Sequence, residues 1–150
     1  GMISRPHSVP RHTLENILAT GCFTLNHINH GNWERAHQCA ANYEQEISEF
    51  DAVGLTPAYT PALSAPYVEE CRVRLGMKLH SYQILPNETV LIIGDIAEAH
   101  IPKQAVAEDG YVDIEQLGTL AISGLDGYHR TGRLARLSYP KPGRELTRLA

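Results

Sequence analysis

The stretch Arg5-Pro-His-Ser-Val-Pro-Arg-His-Thr-Leu-Glu-Asn16 gathers groups that can hold an anion. Arg5 and Arg11 offer planar forks matched to phosphate oxygens. His12 adds a ring N–H, Thr13 a hydroxyl and Asn16 a side-chain amide. Leu14, Ile17 and Leu18 follow at the spacing of one helix face, so these polar groups stand where a helix begins. A helix start leaves backbone N–H groups unpaired at the positive end of its dipole. Two readings of the stretch follow. Thr13 N-caps the helix while the arginines are solvated, or the same segment also faces an anion. Caps are commoner than anion sites, and the two readings are compatible.

Other reactive side chains form no comparable group. His27 and His30, with His37 beyond, suggest a metal at first sight. On a strand, however, residues three apart point to opposite faces, and a closed site needs three or four converging ligands; no metal is expected. Cys22, Cys39 and Cys71 are odd in number and contain no CxxC, which favours free thiols in a reducing, cytoplasmic setting. His80 and His100 have no evident partner and are placed at strand edges. The late cations Arg130, Arg133, Arg136, Lys141, Arg144 and Arg148 read as a solvated face, with Arg130 and Arg133 as exceptions beside Tyr128-His129. No nucleophile–base pair stands out.

The elements that must position these residues can be read from periodicity. The chain has 150 residues, 43% of them hydrophobic, which suits one domain spanning 1–150 with a real core. Gly1 ahead of Met2 reads as a tag-cleavage scar. A net charge of −4 argues against a nucleic-acid binder. Thr89-Val-Leu-Ile-Ile93 is the longest apolar run, far short of the roughly 20 residues of a membrane span. Gly21 should end the first helix, and Cys22–Ile28 alternates as a strand with Phe23 and Leu25 on one side. Asn32 is expected to cap a second helix running to about Tyr43, with Trp33 and Tyr43 in the core. Ser48 starts a third helix that Gly54 stops.

Residues 55–67 hold three prolines and read as a loop. Cys71, Val73, Leu75, Met77 and Leu79 then alternate strictly, but Tyr82 and Ile84 fall on the other parity. Such a slip in a long strand predicts a β-bulge, the device by which barrels curl, with Gly76 assisting. Thr89–Ile101 is a second long strand, apolar on both faces and therefore central. Asp113 and Gln116 resemble the capping box of a short helix, and residues 119–123 a brief strand. Long bent strands with short helices favour a mainly β (α+β) barrel over an open sheet.

Several segments, in order, carry a resemblance. They are Arg5-Pro-x5-Arg-His-Thr-x2-Asn-Ile17-x2-Thr-Gly21-x-Phe-Thr-Leu-Asn26, Ala36-His-Gln-x2-Ala40-Ala-x-Tyr43, Glu46-x-Ser-Glu-Phe-Asp-x-Val-Gly-Leu-Thr-Pro57, and Gly124-Leu-Asp-x-Tyr-His129-x4-Leu-Ala-Arg-Leu-Ser-Tyr139. Together they resemble the flavin reductase-like family with the FMN-binding split barrel, over about residues 4–142. The resemblance implies a homodimer that binds FMN near the subunit interface and passes a hydride from NAD(P)H to the flavin. It implies further that Arg5, Arg11, His12, Thr13 and Asn16 lie on the phosphate side of FMN. Tyr128 and His129 would stand near the flavin or its reductant. Against that family the chain is expected to be N-terminally shortened, starting inside the barrel. An alternative of another class stays open: a non-catalytic, dimeric split-barrel module with an incomplete flavin site.

Overall fold

The computed structural model describes residues 1–6 and 12–149. A four-stranded antiparallel sheet forms its centre, in the order β1-β6-β5-β2, where β1 is Met2–Ser4, β2 Cys22–Asn26, β5 Arg74–Ile84 and β6 Val90–His100. The placement of 89–101 as a central strand holds, since β6 is flanked by β1 and β5.

The parity slip has the expected cause. Leu79 pairs with Gly94 and Ser81 with Ile93, leaving His80 as the extra residue of a bulge. Leu75, Met77, Leu79, Tyr82 and Ile84 thereby return to one face of the sheet. A second irregularity, between Gly76 and Met77, leaves Ala97 of β6 unpaired. Two bulges in one ladder bend both long strands and raise their twist.

Helix α1 (His12–Thr20) covers one face through Leu14 and Ile17, packed on Phe23, Met77, Val90 and Ile92. Full burial of each such side chain is worth about 1.5–3 kcal/mol. Gly21, at φ +70°, ends the helix in the left-handed region and its N–H returns to the Ile17 carbonyl at 2.9 Å.

The other face is covered by a hairpin of β3 (Pro57–Thr60) and β4 (Leu63–Val68). These residues were expected to be a loop. Pro57 opens β3, Pro61 lies in the turn and Pro66 needs no ladder bond on its free edge, so none of the three interrupts pairing. Strand β4 joins β2 without a backbone ladder. The Thr24 hydroxyl donates to the Pro66 carbonyl at 2.6 Å, and the Val68 N–H donates to Asn26 Oδ1 at 3.1 Å. Side chains thus bridge a gap between two antiparallel units, giving a curled half-barrel. Cys22, Leu63 and Tyr67 fill the space between them.

Helix α2 (Trp33–Gln38) is shorter than expected. The Ala40 and Ala41 N–H groups bond three residues back, to His37 and Gln38, which tightens and ends the helix before Tyr43. It buries no residue, and Trp33 is 38% exposed, so neither Trp33 nor Tyr43 is a helical core residue. Helix α3 (Glu49–Val53) follows Ser48 and ends on Gly54 in the left-handed conformation, as read. Residues 114–118 form turns and not a helix, although the Gln116 N–H does reach Asp113 Oδ1 at 3.0 Å. Five turn residues give no second helical turn to propagate. The chain closes with the hairpins β7 (Leu120–Ser123) with β8 (Gly127–Arg130), and β9 (Arg136–Leu137) with β10 (Arg148–Leu149).

Candidate functional site

Thr13 connects two grooves. The first, of about 290 Å³, is lined by Arg5, His12 and Thr13 on one side and by Tyr43 and Glu49 on the other. The second, of about 390 Å³, carries Thr13 and Asn16 of α1, Phe23 and Thr24 of β2, Ser64 of β4 and Phe50 of α3. The helix places them: Thr13 and Asn16 lie three residues apart and share one exposed face, while Leu14 and Ile17 turn inward. The helix begins at His12, so Thr13 lies inside the first turn and is not the N-cap. Arg11 lies outside the described residues.

The second groove has a consistent chemistry. Side chains on one face of β2, Cys22 and Thr24, turn toward it and toward β4, while Leu25 packs with the helix-covered core. Thr20, Thr24 and Ser64 present hydroxyls; Phe50, Ala65 and Pro66 add apolar surface. Cys22 Sγ stands 3.3 Å from Ser64 Oγ and 3.8 Å from Thr20 Oγ1. Burial pushes the Cys22 thiol up, but hydrogen bonds from Ser64, the Ala65 backbone and Thr20 together outweigh it and hold the group below its ordinary range.

Tyr128 and His129 are not brought to these grooves. They line a third one, of about 450 Å³, with His30, Trp33, Asp126 and Arg130. The Tyr128 hydroxyl is 3.0 Å from His37 Nδ1, and its ring meets Trp33 at a centroid distance of 5.3 Å. His129 Nε2 is 2.7 Å from Ser123 Oγ across the β7–β8 hairpin. Trp33 and His37 were missed as partners of Tyr128, although their i, i+4 spacing on α2 puts both on one face.

Below the third groove, Asn32 is 2% exposed and does not cap α2 with its side chain. Its Oδ1 accepts from the Asn29 N–H at 2.9 Å, and its Nδ2 donates to Cys71 Sγ at 3.1 Å. This pins the start of α2, and with it Trp33, to the segment leading into β5.

The remaining histidines and late arginines depart from the expectation. His80, on its bulge, pairs with Asp95 at 3.1 Å, and His100 reaches Glu98 at 3.4 Å. Of the late cations, Arg133 and Arg136 both lie over the Tyr111 ring, at 5.5 and 4.1 Å, and Arg136 also pairs with Asp109. Arg136 is therefore engaged and not part of a solvated face. Among the described residues, no group of three or more His, Cys, Asp or Glu is placed to hold a metal ion.

Comparison with known proteins adds an independent line. A family model described as the Flavin reductase like domain matches residues 3–118. The crystal structure of a candidate flavin reductase with split barrel domain, from Shewanella frigidimarina NCIMB 400, is 46% identical with a TM-score of 0.88, over 93% of this chain and 69% of that one. YwrF of Bacillus subtilis (strain 168), an uncharacterized protein, is 26% identical over 97% of this chain and 68% of its own length. An uncharacterized protein of Aquifex aeolicus (strain VF5) is 28% identical over 53% of this chain and 40% of its own length. The chain therefore spans between 40% and 69% of the length of these relatives. The half-barrel described above is, by the Shewanella likeness, a split barrel.

Proposed function

Because the chain belongs to the Flavin reductase like domain family, we propose that it is a flavin-dependent oxidoreductase. In this reading it holds FMN along the two grooves lined by Thr13 and receives electrons from NAD(P)H. The observation that carries the reading is the sharing of Thr13 between a cationic groove and a hydroxyl-rich one.

The residues present fit the parts of FMN. A phosphate needs cations and unpaired N–H groups, and Arg5, His12 and the start of α1 supply them beside Thr13. A polyhydroxyl chain and a planar ring with a polar edge need hydroxyl and amide partners beside apolar surface. Asn16, Thr20, Thr24 and Ser64 offer the former; Phe23, Phe50 and Pro66 offer the latter and exclude water. When bound, FMN supplies the hydride- and electron-transfer chemistry, which the side chains do not possess. The chain's own part is to bind, orient and desolvate.

Arg11 is assigned to the phosphate with Arg5, His12 and Thr13, and Asn16 to the adjoining part of the cofactor. The groove of Tyr128 and His129 is assigned to the reductant, since it pairs aromatic faces with the cationic Arg130. A cytoplasmic homodimer completes the proposal. Ile96 is 63% exposed, Tyr139 84% and Leu134 97%, apolar surface open to a second copy of the chain.

The test is an FMN titration by fluorescence quenching, on the wild type and on R11A/T13A. The wild type is expected to bind FMN. The double variant should lose at least tenfold in affinity while losing only about 1 kcal/mol of stability, the size of a helix-start contribution. Unchanged affinity with that same stability loss would reduce the segment to a structural helix start. A colourless wild type that fails to quench added FMN would overturn the flavin reading itself.

A further inference from the structure

A cationic cleft on the hairpin-covered side of the sheet takes no part in the flavin reading. It measures about 500 Å³ and is lined by Glu69, Cys71, Arg72, Arg74 and residues 99–102, His100 among them. Its size matches sites for small molecules, which run to about 300–1,000 Å³.

Arg74 is the informative residue. It opens β5, between Asn26 of β2 and His100 of β6 in the ladder. Its Nε is buried and, among the described residues, has no hydrogen-bond partner. Buried guanidinium N–H groups are seldom left unpaired, because the lost solvation is not recovered. Among the described residues no carboxylate lies within ion-pair distance of Arg72 or Arg74. What Arg74 does touch is the Tyr67 ring, 6.0 Å from its centroid.

The nearby acid is already engaged. Glu98 Oε2 accepts from the Tyr67 hydroxyl at 2.7 Å and from the Thr60 hydroxyl at 2.8 Å, and lies 3.4 Å from His100 Nε2. These three groups, and not Arg74, compensate its charge. Glu69 is exposed on the rim, where solvent screens it. Two arginines therefore line the cleft, and among the described residues neither is paired to a carboxylate.

We propose that this cleft binds a phosphate group. Arg74 and Arg72 supply their terminal guanidinium N–H donors and His100 the flank, while Arg74 Nε, buried behind them, reports on the site without touching the ligand. Paired planar forks suit the several oxygens of a phosphate better than the two of a carboxylate. The site is separate from the grooves assigned to flavin and reductant, and it stands or falls independently of that assignment.

The test uses the Arg74 Nε–Hε resonance of the whole protein, isotope-labelled and assigned by its absence in R74Q. Inorganic phosphate, adenosine 5′-monophosphate and acetate are titrated at constant ionic strength, with calorimetry in parallel. The resonance should shift saturably with the two phosphates, and acetate should bind at least tenfold more weakly. Tighter binding of the ester assigns the cleft to a phosphorylated metabolite, and tighter binding of inorganic phosphate to the free anion; either order supports the site. R72Q/R74Q should lose at least tenfold in calorimetric affinity. An Arg74 resonance that does not move, or moves only linearly with added salt, overturns the proposal, whatever the variants do to folding.

Discussion

Gly76 occupies the one place in β5 where a methyl group cannot be accommodated, and Gly76→Ala measures how rigidly the two halves of the fold are held together. A Cβ at position 76 would stand 2.1 Å from the Tyr67 hydroxyl and 2.3 Å from Leu63 Cδ1. Both contacts are far inside van der Waals separation. The Leu63 methyl can swing aside, but Tyr67 is a planar ring, 1% exposed, whose hydroxyl is bonded to Glu98. Relief requires that ring to move, and the hairpin strand β4 with it.

Overpacking of this kind costs about 1–3 kcal/mol, and two simultaneous clashes place Gly76→Ala at the upper end. Replacing glycine also narrows the unfolded ensemble, which returns about 0.4–1 kcal/mol. The net loss expected is about 2 kcal/mol, or roughly 4–8 °C in Tm for a chain of this size. Urea denaturation should show a lower midpoint at unchanged slope. Tyr67→Phe removes the oxygen at 2.1 Å. In the double variant G76A/Y67F the losses should therefore fall short of their sum by at least about 0.5 kcal/mol. A G76A variant within about 0.5 kcal/mol of wild type, the range of neutral surface changes, would refute the packing argument. Strict additivity in the cycle would clear Tyr67 as the clashing partner.

Two further outcomes follow from buried polar groups. Tyr67 is pushed up to about 12, chiefly by burial and then by its bond to Glu98, so its neutral form is the folded one. That stability is complete below the ordinary tyrosine range and is lost as pH rises through about 12. Glu98 is held below the carboxylate range by its hydrogen bonds to Tyr67, Thr60 and His100, so its contribution is present above its ordinary pKa and fades as pH falls through the depressed one. Tyr67→Phe should flatten both limbs of a Tm–pH profile; an unchanged acid limb would break the link to Glu98. Asn32→Ala strands the Asn29 N–H in a buried position; it should cost about 1–3 kcal/mol and increase the solvent quenching of the already half-exposed Trp33, and a stability equal to wild type would show that the Asn29 amide has another acceptor.

Much of the fold was legible because its signals were local. The slip between Leu79 and Tyr82 could be read as a bulge because side-chain parity depends only on the strand's own geometry, and His80 is the extra residue. Gly21 and Gly54 announced two helix ends through the left-handed conformation they adopt. What failed depended on partners distant in sequence. The hairpin of residues 57–68 was hidden by its prolines, which stop mattering once they fall at a strand start, a turn and an edge. The partner of Arg136, Asp109, lies on a turn whose proximity no periodicity encodes, whereas Glu98, two residues before His100 on β6, was within reach of the strand's own period. Asn32 has the residue type of a cap, yet the nearest unpaired N–H belonged to Asn29.

At the start of α1 the local reading of a cap was incomplete. From residues alone, Thr13 as a plain cap was the commoner case. The helix already includes His12, so Thr13 lies within it and its side chain is left exposed. There it lines both the groove of Arg5 and His12 and the groove of Thr24 and Ser64. A threonine needed only to cap would sit before the first helical residue. The place of Thr13 inside the helix therefore sets the plain cap reading aside and leaves the anion reading as the one to test. It also makes Thr13→Ser a sharper probe than Thr13→Ala: serine keeps the hydroxyl and should retain FMN affinity within about fivefold, since only a methyl group of about 1 kcal/mol is removed. Loss of binding equal to that of Thr13→Ala would mean that the methyl, and not the hydroxyl, is what the groove requires.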